Sequence, residues 1–237
     1  MVGIILLACT GSAEDTEIDV CTTDDAPMSC LEPTQTPEYY AEVSSRYFDT
    51  MDYTVEAEAM PYGELVARWE WPPWLKLTGF TAETIEETDA LLTLFPSIVL
   101  ERDCRGFDSQ PFGRCRVTFY YDAHDGKGCP IYEEFVFNDA GEVTWIEAWS
   151  DQPGFLPMDA DADPWAEGEG VSRLSARIPG LGNPEGLIDL DSQAMAEAEA
   201  TDPDVADFAY RARDWATTWL DELNNAPEDM WDVGCGW

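Results

Sequence analysis

The sequence predicts an α+β protein in which N-terminal helices pack on an antiparallel sheet, followed by a helical C-terminal extension. Three observations support this class: helical spacing of apolar residues before residue 97, alternation from 97 to 150, and an apolar stripe after 202. Of the 237 residues, 45% are hydrophobic and 12% are aromatic, which is enough for a core. The chain is therefore expected to fold despite its acidity.

Three helices are predicted before the sheet. The first begins at Thr36-Pro37, with threonine as N-cap and proline at the first helical position. Its apolar residues share one helical face: Tyr40, Val43, Tyr47, Phe48 and Met51. A second helical pattern follows: Tyr62, Leu65, Val66 and Trp69. It ends at Pro72-Pro73, because proline cannot continue a helix. A third helix is predicted from Thr81 to Pro96.

Four strands are predicted next, over 97–104, 115–123, 130–138 and 142–150. Short loops join them, which favours antiparallel pairing, and Asn138-Asp139-Ala140-Gly141 is typical of a tight turn. The Gly- and Pro-rich acidic region 158–191 predicts a loop. Two helices are predicted in the extension 192–237, a short one and a longer continuous one that begins at Asp202-Pro203.

The hairpin from Tyr132 to Ser150 consists of an aromatic-rich strand, an Asp/Gly turn and a strand that passes through Glu147 to a small polar end. With the preceding helices, this segment makes residues 37–157 resemble the nuclear transport factor two-like superfamily, which includes SnoaL-like proteins. The resemblance implies a cone-like fold, in which helices close over a curved sheet around an apolar pocket. Some members are isomerases, dehydratases or cyclases, and many others bind ligands or partners, so the resemblance implies a fold more than an activity.

The N-terminal residues 1–9 form an apolar stub that ends in Leu6-Leu7-Ala8-Cys9. This resembles the lipobox of bacterial lipoproteins, which implies cleavage before Cys9 and attachment of a lipid to its thiol. The residue after Cys9 is Thr10. By the same resemblance, the absence of aspartate at this position implies the outer membrane of the bacterial cell envelope. The alternative is an apolar terminus with an ordinary cysteine, because no Lys or Arg precedes it. The acidic segment 10–36 predicts a disordered tether.

The remaining six cysteines form an even set, which in an exported chain predicts disulfides. Proximity in sequence suggests the pair Cys21–Cys30. Residues Cys104 and Cys115 lie on neighbouring predicted strands and form a second plausible pair. This leaves Cys129–Cys235, which would tie the C-terminus to the sheet. Zinc is a weaker alternative, because the chain has one histidine and no CxxC motif.

The formal net charge of −37 results from 49 Asp and Glu against 12 Lys and Arg. A protein without a basic surface is not expected to bind nucleic acid, which requires cations to replace counterions. Electrostatic docking on an anionic membrane is also disfavoured, so the lipid is the one expected attachment. A salt-rich habitat and an ordinary acidic extracellular protein account equally well for this composition.

The candidate catalytic residues are Glu133, Glu147 and Tyr121. If the hairpin pairs symmetrically about its turn, Glu133 and Glu147 lie opposite each other on an aromatic face. Two opposed carboxyls in an apolar pocket repel, so one retains its proton to higher pH, as a general acid or base requires. Two alternatives remain open: the register differs by one residue, or an arginine neutralises the pair. The candidate arginines are Arg102, Arg114 and Arg116.

Three acidic residues, Asp159, Asp161 and Asp163, alternate as in the first half of a calcium loop. However, Pro164 and Gly170 replace the glycine and glutamate that the loop requires, so a solvated loop is favoured and no metal is expected.

The one histidine, His124, has the neighbours of a solvated turn. The three tryptophans Trp69, Trp71 and Trp74 form either a ligand platform or, more commonly, a core plug. The sequence has no GxSxG, HExxH, phosphate-loop or dinucleotide motif, so it predicts no cofactor.

The leading hypothesis is an exported, lipid-anchored binding module, with a small apolar molecule as the possible ligand. The alternative is a cofactor-free isomerase, dehydratase or cyclase that acts on a small apolar carbonyl compound. In that case Glu133, Glu147 and Tyr121 would lie in the pocket. No feature of the sequence indicates a particular protein partner.

Overall fold

A computed structural model describes residues 20–92, 94–155, 163–166, 173–183 and 185–237. The predicted lipid site Cys9 and the calcium candidates Asp159 and Asp161 lie outside these residues. The helices are α1 Pro37–Tyr47, α2 Ala82–Leu92, α3 Gln193–Thr201, α4 Pro203–Arg213, α5 Trp215–Asn224 and α6 Met230–Cys235. The strands are β1 Tyr62–Glu70, β2 Lys76–Gly79, β3 Ser97–Gly106, β4 Phe112–Tyr121, β5 Lys127–Phe137 and β6 Val143–Ser150.

The strands form one open sheet in the order β2-β1-β6-β5-β4-β3. Register shifts interrupt the ladders of β1, β3 and β5, and such bulges bend strands, so the sheet is curved. The chain is thus an α+β protein, as the sequence predicts. The expectation of a purely antiparallel sheet is wrong at one place, because β1 runs parallel to β6.

The predicted helix around Tyr62 and Trp69 is wrong, because residues 62–70 form strand β1. This strand lies between β2 and β6 inside the sheet. Its residues are buried on both faces, with Val66 in one core and Ala67 and Trp69 in the other. A strand covered on both faces loses the apolar–polar alternation by which strands are recognised in a sequence.

Each face of the sheet supports a separate apolar core. On one side, which we call the cone face, Tyr40 and Tyr47 of helix α1 and Phe48, which follows it, pack against Phe135 and other sheet residues. The opposite side, the extension face, is covered by α4 and by the segments before it. Its core is built from residues distant in sequence: Met28, Trp69, Trp145, Leu174, Phe208 and Ala209.

The segment Val20–Thr36 belongs to the folded domain, so the predicted tether over 10–36 is wrong for this part. Met28 and Leu31 are only 1% and 4% exposed and lie in the core of the extension face. The amide of Gly182 also donates to the carbonyl of Ala26 at 2.8 Å. A few apolar residues are therefore enough to dock this polar segment, because short turns and a disulfide position them.

The three disulfides join the pairs that the sequence predicts. The Cys21–Cys30 bond closes the N-terminal loop, and Cys104–Cys115 links register partners on β3 and β4. The third bond, Cys129–Cys235, holds α6 against β5. Disulfides of this number are typical of exported proteins.

The helical C-terminal extension is present, but the predicted long helix after Asp202 is two helices. The chain leaves helical geometry at Asp214, whose φ is −142° and ψ is 59°. Helix α4 packs on the extension face through Val205 and Phe208, whereas α5 reaches the edge strand β2. None of the described helices is long and apolar enough to span a membrane.

We expect Gly106→Ala to destabilise the protein by about 3 kcal/mol, the upper end of the typical cost of overpacking, because the neighbouring atoms are backbone and cannot move aside as a side chain can. A Cβ at Gly106 would overlap the carbonyl group of Pro37 at the start of α1. Denaturant unfolding followed by circular dichroism measures the change.

The matched control is Gly126→Ala, a site where φ is +69° and a Cβ would meet nothing within 4 Å. This substitution should lower the free energy of unfolding by about 1 kcal/mol, because its one penalty is that alanine must adopt a left-handed backbone conformation. Equal losses for the two variants would contradict the close approach of α1 to β3.

Candidate functional site

A cavity of about 80 Å³ lies on the cone face of the sheet. Strands β1, β4, β5 and β6 form its floor, and α1, α2 and α6 contribute to its walls. The residues that matter for its chemistry are Tyr47, Arg68, Glu70, Tyr121, Glu133 and Trp231. Two of the three candidate catalytic residues, Glu133 and Tyr121, therefore line the same cavity.

A second, larger space of about 280 Å³ adjoins the cavity between α2, α5 and α6, and we call it the groove. The groove and the cavity share Arg68, Glu70, Trp74, Leu92 and Trp231 as lining residues. Most of the other residues that line the groove are apolar: Leu75, Leu91, Leu94, Phe95, Trp219, Leu223 and Met230. Together the two spaces form one site, in which the cavity carries the polar groups and the groove that leads to it is mainly apolar.

Several apolar side chains of the groove are exposed to solvent. Leu94 is 72% exposed, Phe95 56%, Leu91 47% and Leu223 45%. Exposed apolar residues that cluster beside a cavity are typical of a binding site, whereas single ones are common on any surface. The groove is therefore the natural route by which a molecule would reach the cavity.

Glu133 is the most strongly perturbed carboxyl group of the cavity. It lies on β5 opposite Ala148 and is 3% exposed. Burial raises the pKa of Glu133 to about 8, and the negative charges of Glu70 and Asp89 add to the increase. Arg68 and a hydrogen bond with Tyr47 act in the other direction and lower the pKa of Glu133. At neutral pH the group therefore holds a proton.

A buried hydrogen-bond network fixes Arg68 at the edge of the cavity. Its guanidinium donates to the hydroxyls of Tyr47, Thr78 and Thr88 at 2.8, 2.8 and 2.6 Å. It also forms an ion pair with Asp89 on α2, which neutralises its charge. The network binds α2 to β1 and leaves the guanidinium only partly available to the carboxyls of the cavity.

Glu70 adds a second carboxyl to the cavity. It accepts a hydrogen bond from the hydroxyl of Thr78 at 2.9 Å, and its Oε1 lies 3.9 Å from Nε of Arg68. Burial raises the pKa of Glu70 above its usual value, although Arg68 lowers it. Burial also raises the pKa of Tyr121, so its hydroxyl remains neutral at physiological pH.

The prediction that Glu133 and Glu147 face each other is wrong. A register shift between Val136 and Phe137 moves the pairing by one residue, so that Glu134 opposes Glu147 and Glu133 opposes Ala148. Successive side chains of a strand point to opposite faces. Glu133 therefore faces the cavity, whereas Glu147 lies on the extension face, as the alternative register allowed.

Glu147 is a structural anchor on that face. Its carboxylate accepts hydrogen bonds from the indoles of Trp71 and Trp145 at 2.7 and 3.1 Å. It also accepts from the backbone amides of Leu174 and Ser175 at 2.8 and 3.1 Å. The two backbone bonds attach the segment 173–178 to β6, the two indole bonds complete the coordination of the carboxylate, and the group has no access to the cavity.

An arginine does neutralise a carboxyl of the hairpin, but this carboxyl is Glu134. The guanidiniums of Arg114 and Arg173 lie 2.6 and 3.0 Å from its oxygens. Burial opposes ionisation, yet these two cations hold the pKa of Glu134 below its usual value. The other two candidate arginines pair elsewhere, Arg102 with Asp49 and Asp52 and Arg116 with Asp151.

The remaining candidates do not form a second site. His124 lies in a turn, as predicted, but it is half-buried, and its ring lies 4.7 Å from that of Trp237. Trp69 is 1% exposed and belongs to the core of the extension face, whereas Trp74 is 8% exposed and lines both the cavity and the groove. Asp163 accepts from the amide of Trp165, and no group of three potential metal ligands occurs in the described part of the chain.

No family model matches the sequence, and the comparison with curated proteins finds no match. Among solved structures, 44 chains match. One is a protein of unknown function with a cystatin-like fold from Methylobium petroleophilum, at 16% identity and a TM-score of 0.42, covering 57% of this chain and 84% of that one. Another is described as a SnoaL-like polyketide cyclase from Mesorhizobium loti, at 12% identity and a TM-score of 0.30, covering 38% and 79%. At such identities the similarity concerns shape and not chemistry.

The buried proton on Glu133 predicts that stability falls as pH rises. The folded state holds a proton that the unfolded state releases between its ordinary pKa of 4.5 and about 8. Over this range the contribution to the free energy of unfolding decreases by at most about 1.4 kcal/mol per pH unit. Glu133→Gln, which mimics the protonated acid, should remove this component of the slope.

Unfolding by urea at pH 5, 6, 7, 8 and 9 measures the slope. The control is Glu64→Gln, which removes an exposed carboxyl from the same sheet and should leave the slope of the native protein unchanged. Identical slopes for the native protein and Glu133→Gln would show that Glu133 is ionised at neutral pH.

Proposed function

We propose that this protein is an exported, lipid-anchored module that binds a small and mainly apolar molecule. One observation carries the proposal: a largely apolar groove adjoins a cavity in which the buried carboxyl of Glu133 is available. The volumes of about 80 and 280 Å³ together reach the lower range of small-molecule sites. A site of this size and polarity fits a ligand that has one short hydrocarbon chain and one polar end.

The polar end of the ligand would meet Glu133 and Tyr121 in the cavity. A protonated Glu133 can donate a hydrogen bond to a carbonyl or hydroxyl oxygen. The apolar remainder would lie along the groove, where each buried methylene contributes about 0.8 kcal/mol. The costs of association offset much of this gain, so affinities in the micromolar to millimolar range are expected for a chain of six carbons.

A second candidate is a cofactor-free acid–base enzyme, which one observation favours. A pKa of about 8 brings Glu133 close to neutrality, where a general acid or base is most effective. The enzyme would be an isomerase, dehydratase or cyclase for a small apolar carbonyl compound. Glu133 and Tyr121 are its candidate groups, and Glu147 is removed from this set because it lies on the other face.

Binding of 2-octanone, measured by the chemical shifts of methyl groups in the protein, tests the proposal. We expect Leu223→Glu to weaken binding at least tenfold, because the new carboxylate lies in the apolar groove. The matched control is Leu100→Glu on β3, which is 52% exposed and does not line the groove. Equal affinity in both variants would refute the groove as the site.

The same samples discriminate between the two functions. Recovery of 2-octanone and of an unsaturated ketone unchanged after long incubation favours a binding module. Conversion of the unsaturated ketone by the native protein, but not by Glu133→Gln, favours the acid–base enzyme.

The lipid anchor is proposed from the residues Leu6-Leu7-Ala8-Cys9, and the three disulfides support export. We expect the native chain, expressed with its own leader in a bacterium, to partition into detergent and to carry a diacylglycerol by mass spectrometry. Cys9→Ser should abolish both properties. An unmodified native chain in the aqueous phase would contradict the anchor.

A further inference from the structure

We propose that the cavity receives an organic cation, an amine or quaternary ammonium group on an apolar tail that occupies the groove. This inference rests on the proposed binding function and specifies the chemical class of its ligand. It follows from three properties of the site: its balance of charges, its aromatic walls and its apolar continuation.

More acidic than basic side chains line the cavity. Two carboxyls, Glu70 and Glu133, line it together with one guanidinium, that of Arg68. The guanidinium is already paired with Asp89, which does not line the cavity, and its Nε lies 3.9 Å from Oε1 of Glu70. An anionic ligand would therefore lie beside two carboxyls without a free cation to compensate, whereas a cationic ligand could pair with the carboxylate that Glu133 forms when it loses its proton.

Aromatic rings surround these carboxyls. Trp231 of α6 lies 5.4 Å from Trp74 and 4.7 Å from Tyr121, measured between ring centroids. Phe119 stacks on Tyr121 at 5.8 Å. The faces of such rings attract ammonium groups, most strongly where water is excluded. Trp74 and Trp231 line both the cavity and the groove, so they stand where head and tail of the ligand would join.

The disulfide Cys129–Cys235 holds this aromatic wall in place. It fixes α6 against β5, and the hydroxyl of Ser150 on β6 donates to the carbonyl of Gly234 at 2.5 Å. Cys129 itself lines the cavity. The wall is therefore preorganised, which reduces the entropy lost when a ligand binds.

Binding of a permanent cation would exchange with the proton of Glu133. The charged and titratable groups around Glu133 are Tyr47 on α1, Tyr62, Arg68 and Glu70 on β1, Asp89 on α2 and Tyr121 on β4. Arg68 is the one cation among these six groups. The neutral carboxyl would release its proton to solvent, and the carboxylate would pair with the ammonium group. One proton leaves for each cation bound, so affinity should rise about tenfold per pH unit below the pKa of Glu133.

Three probes of similar length test the charge preference: hexyltrimethylammonium, 2-octanone and octanoate. Binding of each probe is measured by calorimetry at pH 6 and 7. The buffer contains 0.5 M salt, which screens the general attraction of an acidic protein for cations. We expect the cation to bind at least tenfold more tightly than the ketone at pH 7, with octanoate weakest. The affinity for the cation should rise about tenfold from pH 6 to pH 7.

Glu133→Gln should weaken binding of the cation at least tenfold and abolish its pH dependence. The matched control, Glu64→Gln, removes one exposed negative charge and should change neither. Circular dichroism and urea unfolding establish that both variants are folded. If Glu133→Gln does not fold, release of one proton per bound cation, measured with the native protein in two buffers, provides the same test.

The outcomes separate this inference from the proposed function. Binding of the ketone that Leu223→Glu weakens, together with weaker or pH-independent binding of the cation, would overturn the inference alone. Binding of none of the three probes would overturn the proposed function as well.

Discussion

The position of a single bulge in the β5–β6 hairpin determines which side chains meet. The register shift between Val136 and Phe137 places Glu133 on the cone face and Glu134 and Glu147 on the extension face. With the symmetric register, Glu147 would lie in the cavity, and the segment that it anchors would lose its two hydrogen bonds to this carboxylate. The composition of the cavity and the docking of the segment 173–178 therefore both depend on the register of this hairpin.

The two faces handle buried charge in opposite ways. On the extension face, two arginines compensate Glu134 and four N–H groups satisfy Glu147, so both carboxylates serve packing. On the cone face, Arg68 is paired with Asp89, and Glu133 is buried without a cation of its own among the described residues. A fully satisfied charge stabilises one arrangement, whereas an unsatisfied one can still respond to a ligand or to pH.

Some residues of the candidate site could be predicted from the sequence. Glu133 is predicted as a candidate from a pairing with Glu147 on an aromatic face; the pairing is wrong, but Glu133 and the third candidate, Tyr121, both line the cavity. Arg68 and Glu70 were not identified, because the segment around them has helical spacing in the sequence. An arginine within the apolar run Val66-Ala67-Arg68-Trp69 was the available signal, since such a residue must find buried partners.

The sequence by itself determined the α+β class, the hairpin and the helical extension, and it suggested the three disulfide pairs that the structure confirms. The class, the hairpin and the extension follow from local periodicity and turn residues, which are properties of short segments, whereas the pair Cys129–Cys235 was reached only as the remainder of the set. The tertiary structure decided that 62–70 is a strand, that Glu147 faces away from Glu133, and that the long C-terminal helix breaks at Asp214. Each of these depends on contacts between distant segments. The strand 62–70 lies between two other strands, the register of the hairpin depends on packing on both faces of the sheet, and the two halves of the predicted long helix pack on different surfaces.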